Sequence, residues 1–327
     1  MEFLDLVQTS LVTPVILTFI LGVIAALLKS DLKLPDQIYQ GLTLYLLFAI
    51  GLKGGAKISG FAFEEMIIPV IAGLILSTLI AAWSYLILRK AVRMSVINSA
   101  AICAHYGSVS ALTFITGQTF LDYKGIHYEG FMTGLLSLME IPGILVAIYL
   151  YRQNDPDSHL EEGTKPSIWH EILTSKANLL LIGGMIIGVI CQKKGWEKVG
   201  PLFDTPFHGM LCLFLLQLGV MTGEHLRTVR QAGWRLVLFA TLMPLLNGFI
   251  GIFTGAMINL SLGGTTLLGI LCASASYIAA PAAIQLVIPK ANPSFYLTTS
   301  LGLTFPFNII IGIPLYFEMA RAICRNN

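Results

Sequence analysis

The chain has 327 residues, 55% hydrophobic and 12% charged, with a formal net charge of +2 at pH 7. Soluble domains carry about 25% charged residues, so a water-soluble globule is excluded. No basic block is present, which excludes a nucleic-acid-binding surface. The first ten residues hold Glu2 and Asp5 but no Lys or Arg. A cleaved signal peptide begins with positive charge, so the first apolar segment is expected to be retained.

Charged and turn residues cut the chain into ten apolar segments, near 11–28, 37–52, 66–88, 94–117, 128–150, 177–194, 204–223, 233–258, 263–287 and 295–320. About 20 mainly apolar residues span a bilayer as a helix. Leu11 to Leu28 and Leu236 to Leu260 contain no charge at all. The expected fold is an all-α integral membrane protein of about ten transmembrane helices. The five cysteines, Cys103, Cys191, Cys212, Cys272 and Cys324, show no C-x-x-C spacing and read as small hydrophobes.

The longest hydrophilic stretch, Arg152 to about Lys176, divides the chain almost in half. Residues 1–151 and 177–327 then form two five-helix units joined by a linker, 152–176. The halves resemble each other. Gly22-Val23-Ile24 precedes Gly51-x-x-x-Gly55, as Gly188-Val189-Ile190 precedes Gly219-x-x-x-Gly223. Pro69 matches Pro244, Cys103-Ala104 matches Cys272-Ala273, and Pro142 matches Pro306. An odd number of spans per repeat makes the halves enter the membrane from opposite sides, giving a 5+5 inverted repeat of the kind common in secondary transporters. With the N-terminus outside, the five inner loops hold 12 of the 20 Lys and Arg. The positive-inside rule then puts both termini outside and the linker in the cytoplasm.

The fourth and ninth segments are rich in small and hydroxyl residues at mid-membrane depth. Asn98 to Thr113 includes His105, Gly107, Ser108, Val109 and Ser110; Leu271 to Ala282 includes Ser274, Ser276, Tyr277, Ala279 and Pro281. Pro281 is expected to break or kink its helix, and broken backbone within a bilayer is tolerated where it lines a cavity or is buried in protein. Amides freed at a half-helix start carry partial positive charge. With the serine hydroxyls they can bind an anion without Lys or Arg. Small residues also serve ordinary helix packing, but their recurrence at matching repeat positions favours a site. Glu140, mid-span beside Ile141-Pro142, marks an ion or proton pathway by default. A nucleophilic Cys103 or Ser276 with His105 as base lacks a third orienting group, and no H-E-x-x-H occurs, so an enzyme is not expected.

At these residues the sequence resembles the SbtA-type sodium-dependent bicarbonate transporters of cyanobacteria and their bacterial relatives. The resemblance covers nearly the whole chain. It is carried by Ser261-Leu262-Gly263-Gly264, Ala279-Ala280-Pro281, Ile288-Pro289-Lys290-Ala291-Asn292-Pro293-Ser294 and Ile313-Pro314-Leu315. Earlier matches are Gly51-Leu52-Lys53-Gly54-Gly55, Gly107-x-Val109-Ser110-x-x-Thr113 and Glu140-Ile141-Pro142, where the family often has Asp. It implies a bacterial inner-membrane homotrimer, with a core from segments 3–5 and 8–10 and a gate from segments 1, 2, 6 and 7. Bicarbonate is expected where the two broken helices cross, at Gly107, Ser108, Val109, Ser110, Thr113, Ser274, Ser276, Tyr277 and Ala279. A coupling sodium ion is expected at Glu140, Ser110 and Ser276. Some relatives bind a trimeric PII-like regulator on the cytoplasmic side. Three departures bear on the carry-over. Tyr277 stands where the cyanobacterial proteins have an acidic residue, Ala111-Leu112 replaces a Gly-Ser pair, and the central loop is shorter. The alternative is a proton- or sodium-coupled carrier of another small anion or carboxylate.

Overall fold

A computed structural model describes residues 14–58, 63–154, 176–226, 233–277 and 279–324. The central linker and the loop carrying Arg227 and Arg230 lie largely outside them. All regular structure among the described residues is helical. The first half contains α1 (Pro14–Leu27), α2 (Asp36–Ile58), α3 (Phe63–Ile87, continued by a π turn, Leu88–Val92), α4 (Val96–Gly107), α5 (Ala111–Tyr123) and α6 (Met132–Asn154). The second contains α7 (Lys176–Phe203), α8 (Phe207–Leu226), α9 (Trp234–Met257), α10 (Leu262–Ala273), α11 (Ala279–Val287) and α12 (Pro293–Cys324). Five helical stretches among the described residues are long and apolar enough to cross a membrane: Glu64–Val92, Met132–Asn154, Phe207–Glu224, Trp234–Met257 and Pro293–Cys324.

Segments four and nine are each two helices, α4/α5 and α10/α11. Pro69, Pro142 and Pro244 sit inside unbroken helices. Near Pro306, α12 does not break either: it widens into π turns at Thr298–Thr304 and Asn308–Gly312, which absorb the ring and the lost donor. Within α7 the apolar helix of segment six stops close to its expected end, at the non-helical Gln192 (φ 51°, ψ −158°), and a second helix runs on from that kink to Phe203.

Two lengthwise helix pairs, α1 with α8 and α2 with α7, are joined through glycine. A Cβ on Gly22 would fall on the Leu216 carbonyl oxygen, and one on Gly219 on that of Phe19. Likewise a Cβ on Gly55 would fall on the Met185 oxygen, and one on Gly188 on that of Leu52. Such close approach lets backbones pack without a hydrophobic driving force, which lipid cannot supply. Gly55→Val therefore wedges α2 from α7, and a melting curve in detergent should show a loss of about 1–3 kcal/mol. An unchanged midpoint would contradict the contact.

The remaining helices pack as a second group. α3, α4 and α6 contact one another in the first half, as α9, α10 and α12 do in the second. Polar groups inside this group are tied across it. Trp83 Nε1 donates to Asn247 Oδ1 (3.0 Å), and Thr304 Oγ1 donates to the Ala240 carbonyl (2.8 Å) while meeting the Tyr106 hydroxyl (2.6 Å). Buried polar groups without partners are costly, so these bonds fix which helix faces meet.

Candidate functional site: two helix breaks joined back to back

Each break begins where a helix can no longer continue its own hydrogen bonding. α4 ends at Gly107, and Ser108 to Ser110 run extended before α5 starts at Ala111. α10 ends at Ala273; Ser274 is extended, and α11 starts at Ala279. Pro281 is not at the break. It occupies the first turn of α11, where its missing N–H would be unsatisfied in any residue, so the break falls upstream, around Ser274 to Tyr277.

Serines cap both restarts. Ser110 Oγ accepts from the Thr113 amide (3.2 Å) and from Thr113 Oγ1 (3.0 Å). Ser276 Oγ accepts from the Ala280 amide (3.2 Å). The breaks are also bonded to each other. The Ser110 amide donates to Ser274 Oγ (2.9 Å), and the Ser276 amide donates to the His105 carbonyl (2.8 Å). Ser274 donates its own proton to the Leu271 carbonyl (2.8 Å), so that proton is already committed inside the protein.

The last carbonyls of the incoming half-helices are held by residues that the sequence reading missed. Ser77 Oγ on α3 lies 2.5 Å from the Gly107 oxygen and 2.9 Å from that of Met139, and can donate to one at a time. Asn308 Nδ2 on α12 donates to the Ala273 carbonyl (2.8 Å), and its Oδ1 accepts from Tyr316 (2.9 Å). A lone serine or asparagine in an apolar span was the available signal. The start of α10, away from the break, is built similarly: the Ser261 amide and hydroxyl donate to the two oxygens of Glu129 at 2.7 and 3.0 Å.

The expected site residues thus fall into one neighbourhood. Gly107, Ser108, Val109, Ser110, Thr113, Ser274 and Ser276 are buried around the two breaks, whereas Tyr277 and Ala279 are half-buried. The Tyr277 ring stands edge-on to Phe305 at 5.1 Å. Its hydroxyl faces those of Ser110 and Thr113 without a hydrogen bond of ordinary geometry. Ser108 Oγ is buried without a partner. Glu140 reaches the same level through its neighbours: the preceding carbonyl, Met139, faces Ser77, and Gly143 packs on Gly107. It is only 3% exposed, and its Oε2 has no protein partner. His105 Nδ1 faces the Ala101 carbonyl (2.7 Å), its ring stacks on Tyr296 (4.7 Å), and Nε2 is buried without a partner. Cys103 Sγ bonds the Ala100 carbonyl.

This arrangement offers two capped half-helix starts, free hydroxyls and one unpaired carboxyl group. Together these groups place hydrogen-bond donors, acceptors and an acid within an otherwise apolar bundle. Comparison with known protein families matches residues 14–321 to the Na+-dependent bicarbonate transporter superfamily. The chain belongs to that superfamily. No curated protein matches it. Membership in the superfamily assigns sodium-dependent bicarbonate transport as the general activity and makes the chain a multi-pass membrane protein.

Proposed function

We propose that the chain imports bicarbonate into a bacterial cell by sodium symport, with the anion held between the two joined breaks. The observation that carries this reading is the reciprocal bonding at the breaks: each restart is capped by its own serine and tied to the other break. The equivalent pairs Gly22/Gly188, Ser95/Ser261, Ser108/Ser274 and Ser110/Ser276 all lie at one constant separation in the chain. Ser95 and Ser261 cap α4 and α10 in the same way. This regularity supports a 5+5 inverted repeat of units 1–151 and 177–327 joined by the 152–176 linker. In that architecture α4/α5 and α10/α11 cross at mid-membrane, and both termini lie outside.

In this reading α1, α2, α7 and α8 form the gate, supported by their glycine-lined pairing, and α3–α6 with α9–α12 form the core. The subunit works as a homotrimer. The first-turn amides of α5 and α11 that the serine caps leave without acceptors face the anion with their partial positive charge. Ser108 Oγ donates to the anion, and Tyr277 closes the site from the α12 side. Glu140 takes sodium together with the Ser110 and Ser276 oxygens; hard cations of this kind prefer oxygen ligands. Cation and anion then stabilise the same conformation, each neutralising the other, which is what couples their movement. A cavity of about 660 Å³ along α5, reaching Thr116 and Thr119 from the Tyr123 end, supports access from that face.

The test is bicarbonate uptake into proteoliposomes under an inward sodium gradient, with a potassium gradient as control. Sodium-specific uptake is expected. Ser110→Ala and Ser276→Ala should each slow it about tenfold, since each removes a cap of about 1 kcal/mol along with a proposed ligand. Normal uptake in one variant and loss in the other would overturn a two-sided site. A second reading, proton-coupled carriage of another small anion, is favoured by the bare, buried Nε2 of His105 and by Tyr277 in place of a carboxylate. Uptake driven by a pH gradient and indifferent to sodium would establish it.

A further inference from the structure

Away from the breaks, a pocket of about 480 Å³ opens where α3 and its π turn end and α9 begins. Arg93, Asn98, Trp234, Arg235 and Phe295 line it. The two arginines come from different helices, both are exposed, and neither forms an ion pair among the described residues. Arg93 holds a left-handed backbone conformation (φ 66°), with its amide closing onto the Leu88 carbonyl. That conformation is uncommon for a residue with a side chain and is retained where the surroundings over-determine it. The nearby Arg89 is engaged instead with the Met94 carbonyl. The Arg235 guanidinium stands 5.6 Å from the centre of the Trp234 ring, and that indole is 71% exposed.

The apolar surface beside the pocket says what it accommodates. From one turn beyond Arg235, α9 presents a continuous exposed column of Leu238, Leu242, Leu246, Phe249 and Phe253. α3 presents Leu86, Leu79 and Ile75 up to the same end. In a membrane protein these faces meet acyl chains. Guanidinium groups bind phosphate through paired hydrogen bonds, exposed tryptophan sits at headgroup depth, and basic pockets between helix ends take anionic headgroups.

We propose that this pocket binds the phosphate headgroup of one anionic glycerophospholipid, with Arg93 and Arg235 gripping the phosphate and the acyl chains lying along α9 and α3. The headgroup then ties the end of α3 to the starts of α9 and α12, which contributes Phe295. A free inorganic anion would use the arginines but not the apolar columns, so the two sources are separable.

The full-length protein, purified in detergent, would be titrated with phosphatidylglycerol, phosphatidylcholine or inorganic phosphate, and bound lipid counted by native mass spectrometry. One retained phosphatidylglycerol per chain is expected, with no such retention of phosphatidylcholine and no displacement by millimolar phosphate. The Arg93→Gln/Arg235→Gln variant should bind phosphatidylglycerol roughly 25-fold more weakly. Equal retention of both lipids, unchanged binding in the double variant, or displacement by phosphate would each overturn the proposal. Should the double variant not fold, Arg235→Gln alone should still weaken binding about fivefold, and unchanged binding there would count equally against it. None of these readouts depends on transport.

Discussion

Replacing Glu140 by Gln is expected to cut sodium-driven bicarbonate uptake by about 100-fold while leaving the protein at least as stable as the wild type. The two halves of that expectation come from one observation. Glu140 is 3% exposed on α6, and its Oε2 meets no protein donor. A buried carboxyl group without a partner costs stability, so a purely structural residue at this position would be paired. Gln keeps the shape and one carbonyl oxygen but removes the charge. If Glu140 holds the coupling cation, the variant loses a charged ligand inside a low-dielectric site. Truncating one member of a buried charge pair costs about 2–5 kcal/mol, which spans about 30-fold to more than 1000-fold in an equilibrium constant.

Initial uptake rates and thermal midpoints, measured on the same preparations, separate the possibilities. Loss of sodium dependence with a raised or unchanged midpoint supports coupling through Glu140. Full sodium-driven uptake in the variant would remove Glu140 from the ion site. A fall in both quantities would make the residue structural.

Much of this arrangement was legible in the sequence, because lipid imposes a simple rule on composition. Apolar runs had to be helices, since every backbone group needs an internal partner in a bilayer. The small and hydroxyl residues of Asn98 to Thr113 and Leu271 to Ala282 marked the stretches within which helix gives way. Contact register was less legible. The sequence aligned Gly51 and Gly55 with Gly219 and Gly223, yet in the packed helices Gly55 and Gly219 occupy equivalent places, each against a partner carbonyl. Composition shows that small residues are available, but which of them meets a backbone depends on how far the partner helix slides. Even the constant separation of Ser95 and Ser261, Ser108 and Ser274, and Ser110 and Ser276 does not give that register, because Gly55 and Gly219 lie two residues closer together than those pairs.

Proline misled in a similar way. A ring in the first turn of a helix costs nothing, and one in a wide turn costs little. Pro281 therefore lies beside the irregular backbone instead of causing it, whereas at Pro306 the helix adjusts by widening into π turns on either side. Ser77 and Asn308 gave only the signal of a polar residue within an apolar span, and only the fold shows that both point at the carbonyl ending a half-helix.

Gly143→Ala should disable transport almost as completely as the loss of Glu140, by moving the break itself. α4 ends wedged between two helices. A Cβ on Gly143 of α6 would land on the Gly107 carbonyl, and one on Gly107 would meet Ala81 of α3 at 2.5 Å. Backbone cannot rotate away as a side chain can, so the last turn of α4 must shift. That shift would carry Ser108 and Ser110 with it and pull the Ser110 amide from Ser274. Overpacking of this kind costs about 1–3 kcal/mol in a close-packed interior. Displacement by about 1 Å at a binding constellation costs about 100-fold in rate. Gly41→Ala provides the contrast, since no atom lies within 4 Å of the added methyl group on α2. There the helix gains up to about 1 kcal/mol from alanine's propensity, and uptake should be unchanged. Wild-type uptake and melting in Gly143→Ala would mean that α4 and α6 do not meet at Gly107. Loss of uptake in Gly143→Ala beside a fully active Gly41→Ala would show that the placement of the break, and not the glycine content of the bundle, controls transport.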